Sequence, residues 1–99
     1  MFARLHTIET TPEQHEVGLE IVKEEFLPWA RETTGFRGLI AFADKARKKA
    51  IVVSLWSDEG ALDASEAAGD QLSRLAAEAA GSTRRSLESF EVTFFEVPR

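Results

Sequence analysis

Phe36-Arg37-Gly38-Leu39-Ile40-Ala41-Phe42-Ala43, then Asp44-Lys45-Ala46-Arg47-Lys48, then Lys49-Ala50-Ile51-Val52-Val53-Ser54-Leu55-Trp56 is the stretch on which the fold turns. Two runs rich in β-branched and aromatic residues flank five mostly charged residues, which reads as two antiparallel strands joined by a hairpin loop. A sheet with one wet face alternates apolar and polar side chains. Here both parities are apolar: Phe36, Ile40 and Phe42 against Leu39, Ala41 and Ala43, and Ile51, Val53 and Leu55 against Val52 and Trp56. Both faces of the hairpin therefore need cover.

On the N-terminal side, residues 2–9 read as a first strand with Phe2, Arg4, His6 and Ile8 on one side and Ala3, Leu5 and Thr7 on the other. Thr11-Pro12-Glu13-Gln14 predicts a helix start: Thr11 caps, Pro12 occupies a position where its missing N–H costs nothing, and Gln14 completes a capping box. His15, Leu19, Val22, Phe26, Trp29 and Ala30 then recur at helical spacing and form the inner face, with Glu13, Glu16, Glu20 and Glu24 as a solvated outer stripe. Pro28 predicts a kink in the last turn, and Gly35 the stop.

On the C-terminal side, Ser57 is read as the cap of a second helix with Leu62, Ser65, Ala68, Leu72, Leu75, Ala76 and Ala79 on its inner stripe, open to interruption at Gly69-Asp70. Residues 86–97 read as a fourth strand. The order βαββαβ predicts one domain over residues 1–99 of ferredoxin-like α+β class, a four-stranded antiparallel sheet with two helices on one face. Two helices cover one face only, so the other is expected to meet a second copy of the chain, with Val52 and Leu39 in that homodimer interface.

Composition bounds the function. The 99 residues are 43% hydrophobic, and 12 Lys and Arg against 17 Asp and Glu give a net charge of −5, which argues against a nucleic-acid partner. With no cysteine there is no disulfide, thiolate–metal site or cysteine nucleophile, and the two histidines, His6 and His15, are not at metal-ligand spacing. Nor does a glycine-rich phosphate loop follow a strand, and no metal, flavin or haem cofactor is expected. No apolar run is long enough to span a bilayer; no membrane partner and a cytoplasmic location are the expectation.

Three stretches resemble the antibiotic biosynthesis monooxygenase family of dimeric α+β barrels. They are Phe26-Leu27-Pro28-Trp29-Ala30-Arg31, Gly35-Phe36-Arg37-Gly38, and Ser54-Leu55-Trp56-Ser57-Asp58-Glu59-Gly60-Ala61-Leu62-Asp63-Ala64-Ser65. The resemblance covers nearly the whole chain. It implies the dimeric barrel, and an apolar pocket between helices and sheet in which some members oxidise polycyclic phenols or quinols without a cofactor. Aligned on Trp56, the Asn, Trp and His that serve haem-degrading members fall at His6, Ser65 and Leu75. Haem degradation is therefore not expected. The chain also has no tyrosine, a polar aromatic contact in some phenol-oxidising members.

Within that frame His6 is the candidate catalytic residue. A histidine facing the pocket is suited to take a proton from a phenol, leaving an electron-rich anion that reacts with dioxygen. Phe26, Trp29, Phe42 and Trp56 are the candidate substrate-binding residues, able to hold a flat ring; as packing residues they need no ligand. Arg4, on the side of His6, is expected to pair with Glu91 or Glu96, Arg37 to form a surface ion pair, and Arg84-Arg85 to be solvated. Two functions stay open: a cofactor-independent monooxygenase for a small planar phenol or quinol, or a non-catalytic dimeric domain that binds a small hydrophobic ligand or only self-associates. The first needs a cavity that reaches His6, of the ~300 to 1,000 Å³ typical of ligand pockets.

Overall fold

The computed structural model describes residues 1–98. In chain order the elements are β1 (Phe2–Glu9), α1 (Pro12–Ile21), a π-helical turn (Val22–Phe26), α2 (Leu27–Glu32), β2 (Phe36–Asp44), β3 (Lys49–Trp56), α3 (Glu59–Ala79) and β4 (Thr83–Glu91). The four strands form one antiparallel sheet in the order β2-β3-β1-β4, with the helices on one face. This is the ferredoxin-like α+β arrangement. No helix among the described residues is long and apolar enough to cross a membrane.

Local chemistry explains the helix boundaries. Thr11 Oγ1 accepts from the Gln14 N–H at 3.2 Å and Gln14 Oε1 from the Thr11 N–H at 2.9 Å, so the capping box closes. The break expected near Pro28 lies a turn earlier. Pro28 cannot donate to the Glu24 carbonyl and its ring crowds it, and the chain widens instead into the turn Val22–Phe26, where the Leu27 N–H reaches back to the Val22 carbonyl. The cap of α3 is Asp58 rather than Ser57: its Oδ1 accepts from the Ala61 N–H at 2.8 Å, while the Ser57 N–H is spent on the Gly35 carbonyl at 2.7 Å. Gly35 has φ +87°, and a Cβ there would lie 2.4 Å from the Ala61 Cβ.

Gly69-Asp70 does not interrupt α3. Gly69 is buried, and an added Cβ would sit 3.4 Å from the Trp29 ring and 3.5 Å from Arg4 Nη1.

The register assigns the two faces. Phe2, Arg4, His6 and Ile8 of β1 stand opposite Trp56, Ser54, Val52 and Ala50 of β3 and face the helices. Ala3, Leu5 and Thr7, with Leu55, Val53 and Ile51, face away. An extra residue, Arg37, bulges out of β2, so Phe36 pairs with Trp56 while Gly38 pairs with Leu55. This puts Phe36, Leu39 and Ala41 on the helix face and Ile40 and Phe42 on the open one. The expectation that Val52 and Leu39 occupy an interface is thereby corrected: both lie under the helices.

The fourth strand also differs from expectation, spanning Thr83–Glu91 rather than residues 86–97. It pairs along β1 from Glu9 to Phe2, skipping Arg85 at a bulge, and the Val92 N–H still reaches the Met1 carbonyl at 2.9 Å. The core sits between sheet and helices around Trp56 and Ala30 (each 0% exposed) and Phe26 (4%).

Candidate functional site

A cavity opens between the sheet and the helix layer. His6, Ile8 and Val52 form its floor. Leu19 of α1 and Val22 and Phe26 of the π-helical turn form one wall, and Ala76 and Ala77 of α3 the other. The small side chains of α3 leave the space that a leucine stripe would fill. Its free volume is about 40 Å³, enough for a few waters and well below the ~300 to 1,000 Å³ of common ligand pockets.

His6 is 2% exposed, and its Nδ1 is buried without a hydrogen-bond partner. Such an atom costs roughly 1 to 3 kcal/mol when left unsatisfied, so it marks a position at which a ligand donor or acceptor would be welcome. Burial, first, and then the positive charges of Arg84 and Arg4 push the imidazole pKa down to about 4, opposed weakly by Asp70. The ring is neutral at physiological pH.

Two arginines frame this histidine, and neither is placed as expected. Arg4 is buried and pairs with neither Glu91 nor Glu96; its Nη1 donates to Ser65 Oγ at 3.1 Å and its Nη2 to the Leu62 carbonyl at 2.7 Å. Parity put Arg4 on the side of His6; the register shows that this is the helix side, where α3 reaches it first. Arg84 is half-buried rather than solvated, donating to Asp70 and, at 3.2 Å, to Ser73 Oγ. Arg74 also bonds Asp70, at 2.6 Å. The hydrogen bond from Arg84, helped by that from Arg74, holds the Asp70 carboxyl below the usual carboxylate range against its own desolvation. Arg85, exposed, bonds Glu9 Oε2 through Nη2 at 2.5 Å. Arg37 is exposed and takes part in none of the ion pairs among the described residues.

Of the four candidate substrate-binding aromatics, Phe26 lines the cavity. Trp29 packs edge-on against Phe26 (5.4 Å between ring centres) and beside Trp56 (6.2 Å), forming a stack behind the wall. Trp56 is wholly buried, its Nε1 donating to Ser54 Oγ at 3.0 Å, so it acts as core rather than cavity surface. Phe42 is on the opposite face of the sheet, 55% exposed, and does not join them. The bulge at Arg37 and the ambiguity of a doubly apolar strand hid this.

His15 is the residue that reading the sequence did not bring to the site. It lines the same cavity as His6, and also the neighbouring surface groove with Thr11 and Lys45, so it stands between interior and solvent. The signal was its place on the inner stripe of the first helix. No group of three His, Cys, Asp or Glu side chains able to hold a metal occurs among the described residues. Leu75, at the position aligned with the haem-degraders' histidine, is 52% exposed and outside the cavity lining.

No family profile matches the chain, and no curated protein matches it significantly. Solved structures do. A Deinococcus radiodurans protein provisionally named an antibiotic biosynthesis monooxygenase superposes with a TM-score of 0.71 at 14% identity, over 100% of this chain and 99% of its own. The monooxygenase ActVA-Orf6 of Streptomyces coelicolor, solved with nanaomycin D, gives 0.69 at 18% identity, over 99% and 92%. SnoaB, a cofactor-independent oxygenase of Streptomyces nogalater, gives 0.68 at 11% identity, over 95% and 94%. With the strand order and the covered face described above, the chain has the ferredoxin-like α+β fold of the antibiotic biosynthesis monooxygenases.

Proposed function

We propose that the chain is a cofactor-independent monooxygenase acting on a small planar phenol or quinol held in this cavity, with His6 as the base. The observation that carries the reading is the His6 Nδ1, buried and unpartnered on a residue that lines a mainly apolar pocket. A fold shared with a monooxygenase and a cofactor-independent oxygenase supports the same reaction class.

Proton transfer from the substrate hydroxyl to His6 leaves an electron-rich ring anion. Dioxygen oxidises it, one oxygen atom entering the ring as a quinone carbonyl and the other leaving as water. A pKa of about 4 describes an imidazolium with no counter-ion. Beside a newly formed phenolate the cation has one, and in a low-dielectric cavity that pairing offsets much of the desolvation. Phe26, backed by Trp29 and Trp56, is the ring contact. Because the free volume is about 40 Å³, the helix layer must part to admit a ring system, and the π-helical turn carrying Val22 and Phe26 is the segment that yields.

The same small volume favours a second reading: a domain of the same fold that binds a small hydrophobic molecule without turning it over. Oxygen uptake with anthrone- and naphthoquinol-type substrates decides between them. The enzyme reading expects uptake by the parent and none by His6→Ala. Quenching of tryptophan fluorescence by the same compounds with no oxygen consumed favours the binding domain, and turnover by a His6→Ala variant that merely melts early removes His6 from the chemistry.

The assembly proposed with this function is a homodimer through the open sheet face. That face exposes Phe42 (55%), Phe90 (49%) and Ile40 (37%) beside Leu5, Ile51 and Val53, with Glu88 opposite Leu5, a largely apolar surface of the kind that marks an interface. Sedimentation at decreasing concentration tests it; a stable folded monomer at micromolar concentration overturns it.

A further inference from the structure

We propose that His15 is a second acid–base residue of the cavity, serving the ring carbon at which oxygen enters; the proposal rests on the reaction just described. His6 stands on the sheet floor and His15 is the fourth residue of α1, yet both line one cavity. Among the described residues they are the ionisable side chains of its lining. The other polar side chains there are engaged. Thr10 and Ser82 bond each other at 2.8 Å, Gln14 Nε2 donates to the Gly81 carbonyl at 2.9 Å, and Ser73 donates to the Asp70 carbonyl at 3.1 Å while accepting from Arg84. The His15 ring enters none of the hydrogen bonds or ion pairs among the described residues. Two imidazoles are what the cavity offers a reacting molecule.

The backbone holds His15 in place. The capping box fixes the start of α1, the His15 N–H donates to the Thr11 carbonyl at 2.8 Å, and the bond from Gln14 to Gly81 ties this turn to the residues that follow α3. A group fixed in this way needs no reordering at the moment of reaction. His15 also lines the surface groove beside Thr11 and Lys45, where it exchanges protons with water.

The reaction moves two protons from opposite ends of the ring, one on the hydroxyl and one on the para carbon. A single imidazole fixed in a strand does not attend both. His6 takes the hydroxyl proton. The phenolate then forms a carbon–oxygen bond to dioxygen at its para carbon, leaving the electron pair on the outer oxygen of a peroxide anion. With the hydroxyl on His6, His15 in the opposing layer is the group left to serve this end. Protonated His15 gives the outer oxygen its proton. As a neutral imidazole it next removes the para hydrogen, whose electron pair becomes the second bond of the new carbonyl as the oxygen–oxygen bond breaks. The hydroxide released takes the proton from His6 and leaves as water. Burial, which disfavours the His6 cation, makes that proton easy to give up. Both histidines end as they began, and the four electrons lost by the phenol have reduced dioxygen, one atom now in the quinone and the other in water.

The test compares the parent with His15→Gln on 1-naphthol carrying either hydrogen or deuterium at the para carbon. In the variant kcat is expected to fall by about a hundredfold, as for loss of a general acid–base group, with KM unchanged. The rate ratio between the two isotopic substrates is expected to grow, because breaking that C–H bond becomes the slow step. A packing role would move the melting curve and leave the isotope ratio where it was. An unchanged isotope ratio, or full activity of the variant, overturns the role of His15 and leaves His6 and the reaction standing. A parent that takes up no oxygen with 1-naphthol or with the substrates named above overturns the reaction and this role together. A second measurement uses the parent alone, so it stands even if His15→Gln fails to fold. 1-Naphthol is added in the absence of oxygen while the ring signals of both histidines are followed by NMR. Both are expected to shift along one saturation curve, and a His15 signal that stays in place overturns the proposal.

Discussion

Arg4 Nη1 donates to Ser65 Oγ at 3.1 Å, joining the third residue of β1 to the second turn of α3 with both side chains out of water. Ser65 in turn donates to the Leu62 carbonyl at 2.8 Å, which Arg4 Nη2 also reaches. Glu66, Asp63 and Asp70 act on this guanidinium through space, and burial outweighs them, lowering its pKa.

Arg4→Met is therefore expected to remove two hydrogen bonds while the Leu62 carbonyl keeps its bond from Ser65. The cost is about 1 to 3 kcal/mol, or several degrees of melting temperature in a domain this size. The same change removes one of the two positive charges acting on His6, so the His6 pKa rises. A thermal melt and an NMR titration of the His6 ring check both; a melt unchanged from the parent would mean that this bridge holds nothing together.

Stability should fall in acid because of His6. The unfolded chain takes up a proton at this residue near pH 6.5, whereas the folded chain resists until about pH 4. Stability is thus fully present above about pH 7, is lost as pH drops through that window, and levels off below it, by a total on the order of 3 kcal/mol. His6→Gln should lack this slope, and the difference between parent and variant melts at pH 4.5 and 7.5 isolates it from carboxylate titration. Parallel curves for the two proteins would show that the ring is not held neutral.

Substitution on the two faces of β2 and β3 should give opposite results. Val52 is 9% exposed on the cavity floor, and Val52→Asp buries a carboxylate among apolar side chains, expected to cost more than about 3 kcal/mol and leave little folded protein. Phe42, 55% exposed on the open face, should tolerate Asp in the folded protomer while the proposed dimer is lost. Circular dichroism and sedimentation on both variants distinguish these outcomes.

Local chemistry carried much of the fold in the sequence. The Thr11 box, both ends of β3 and the stop at Gly35 each depend on residues near one another in the chain. What failed to show was non-local. The extent of β4 follows its pairing with β1, eighty-odd residues earlier. Which apolar parity of β2 faces the helices depends on a single bulged residue, Arg37, that shifts Phe36 out of step with Ile40 and Phe42. The site was half legible for the same reason. His6 was visible as a histidine among apolar neighbours, but its meeting with His15 needed the helix to be laid across the sheet.

Gly35 gives the sharpest stability test. With φ +87° it occupies a conformation that costs other residues about 1 to 3 kcal/mol, and an added Cβ would press against Ala61 Cβ at 2.4 Å and Ser57 Oγ at 2.8 Å. Gly35→Ala is therefore expected to destabilise by about 3 kcal/mol or more, since the closer neighbour cannot withdraw: the Ala61 Cβ is fixed on the first turn of α3. Ala61→Gly removes the closer obstacle at a helix cost of about 1 kcal/mol. In the double variant Ala61→Gly should restore part of the loss, leaving the backbone strain and the Ser57 contact, so the two effects are not additive. Melting temperatures of the parent, the two single variants and the double variant measure this coupling, and strictly additive values would mean that β2 and α3 do not meet at this point.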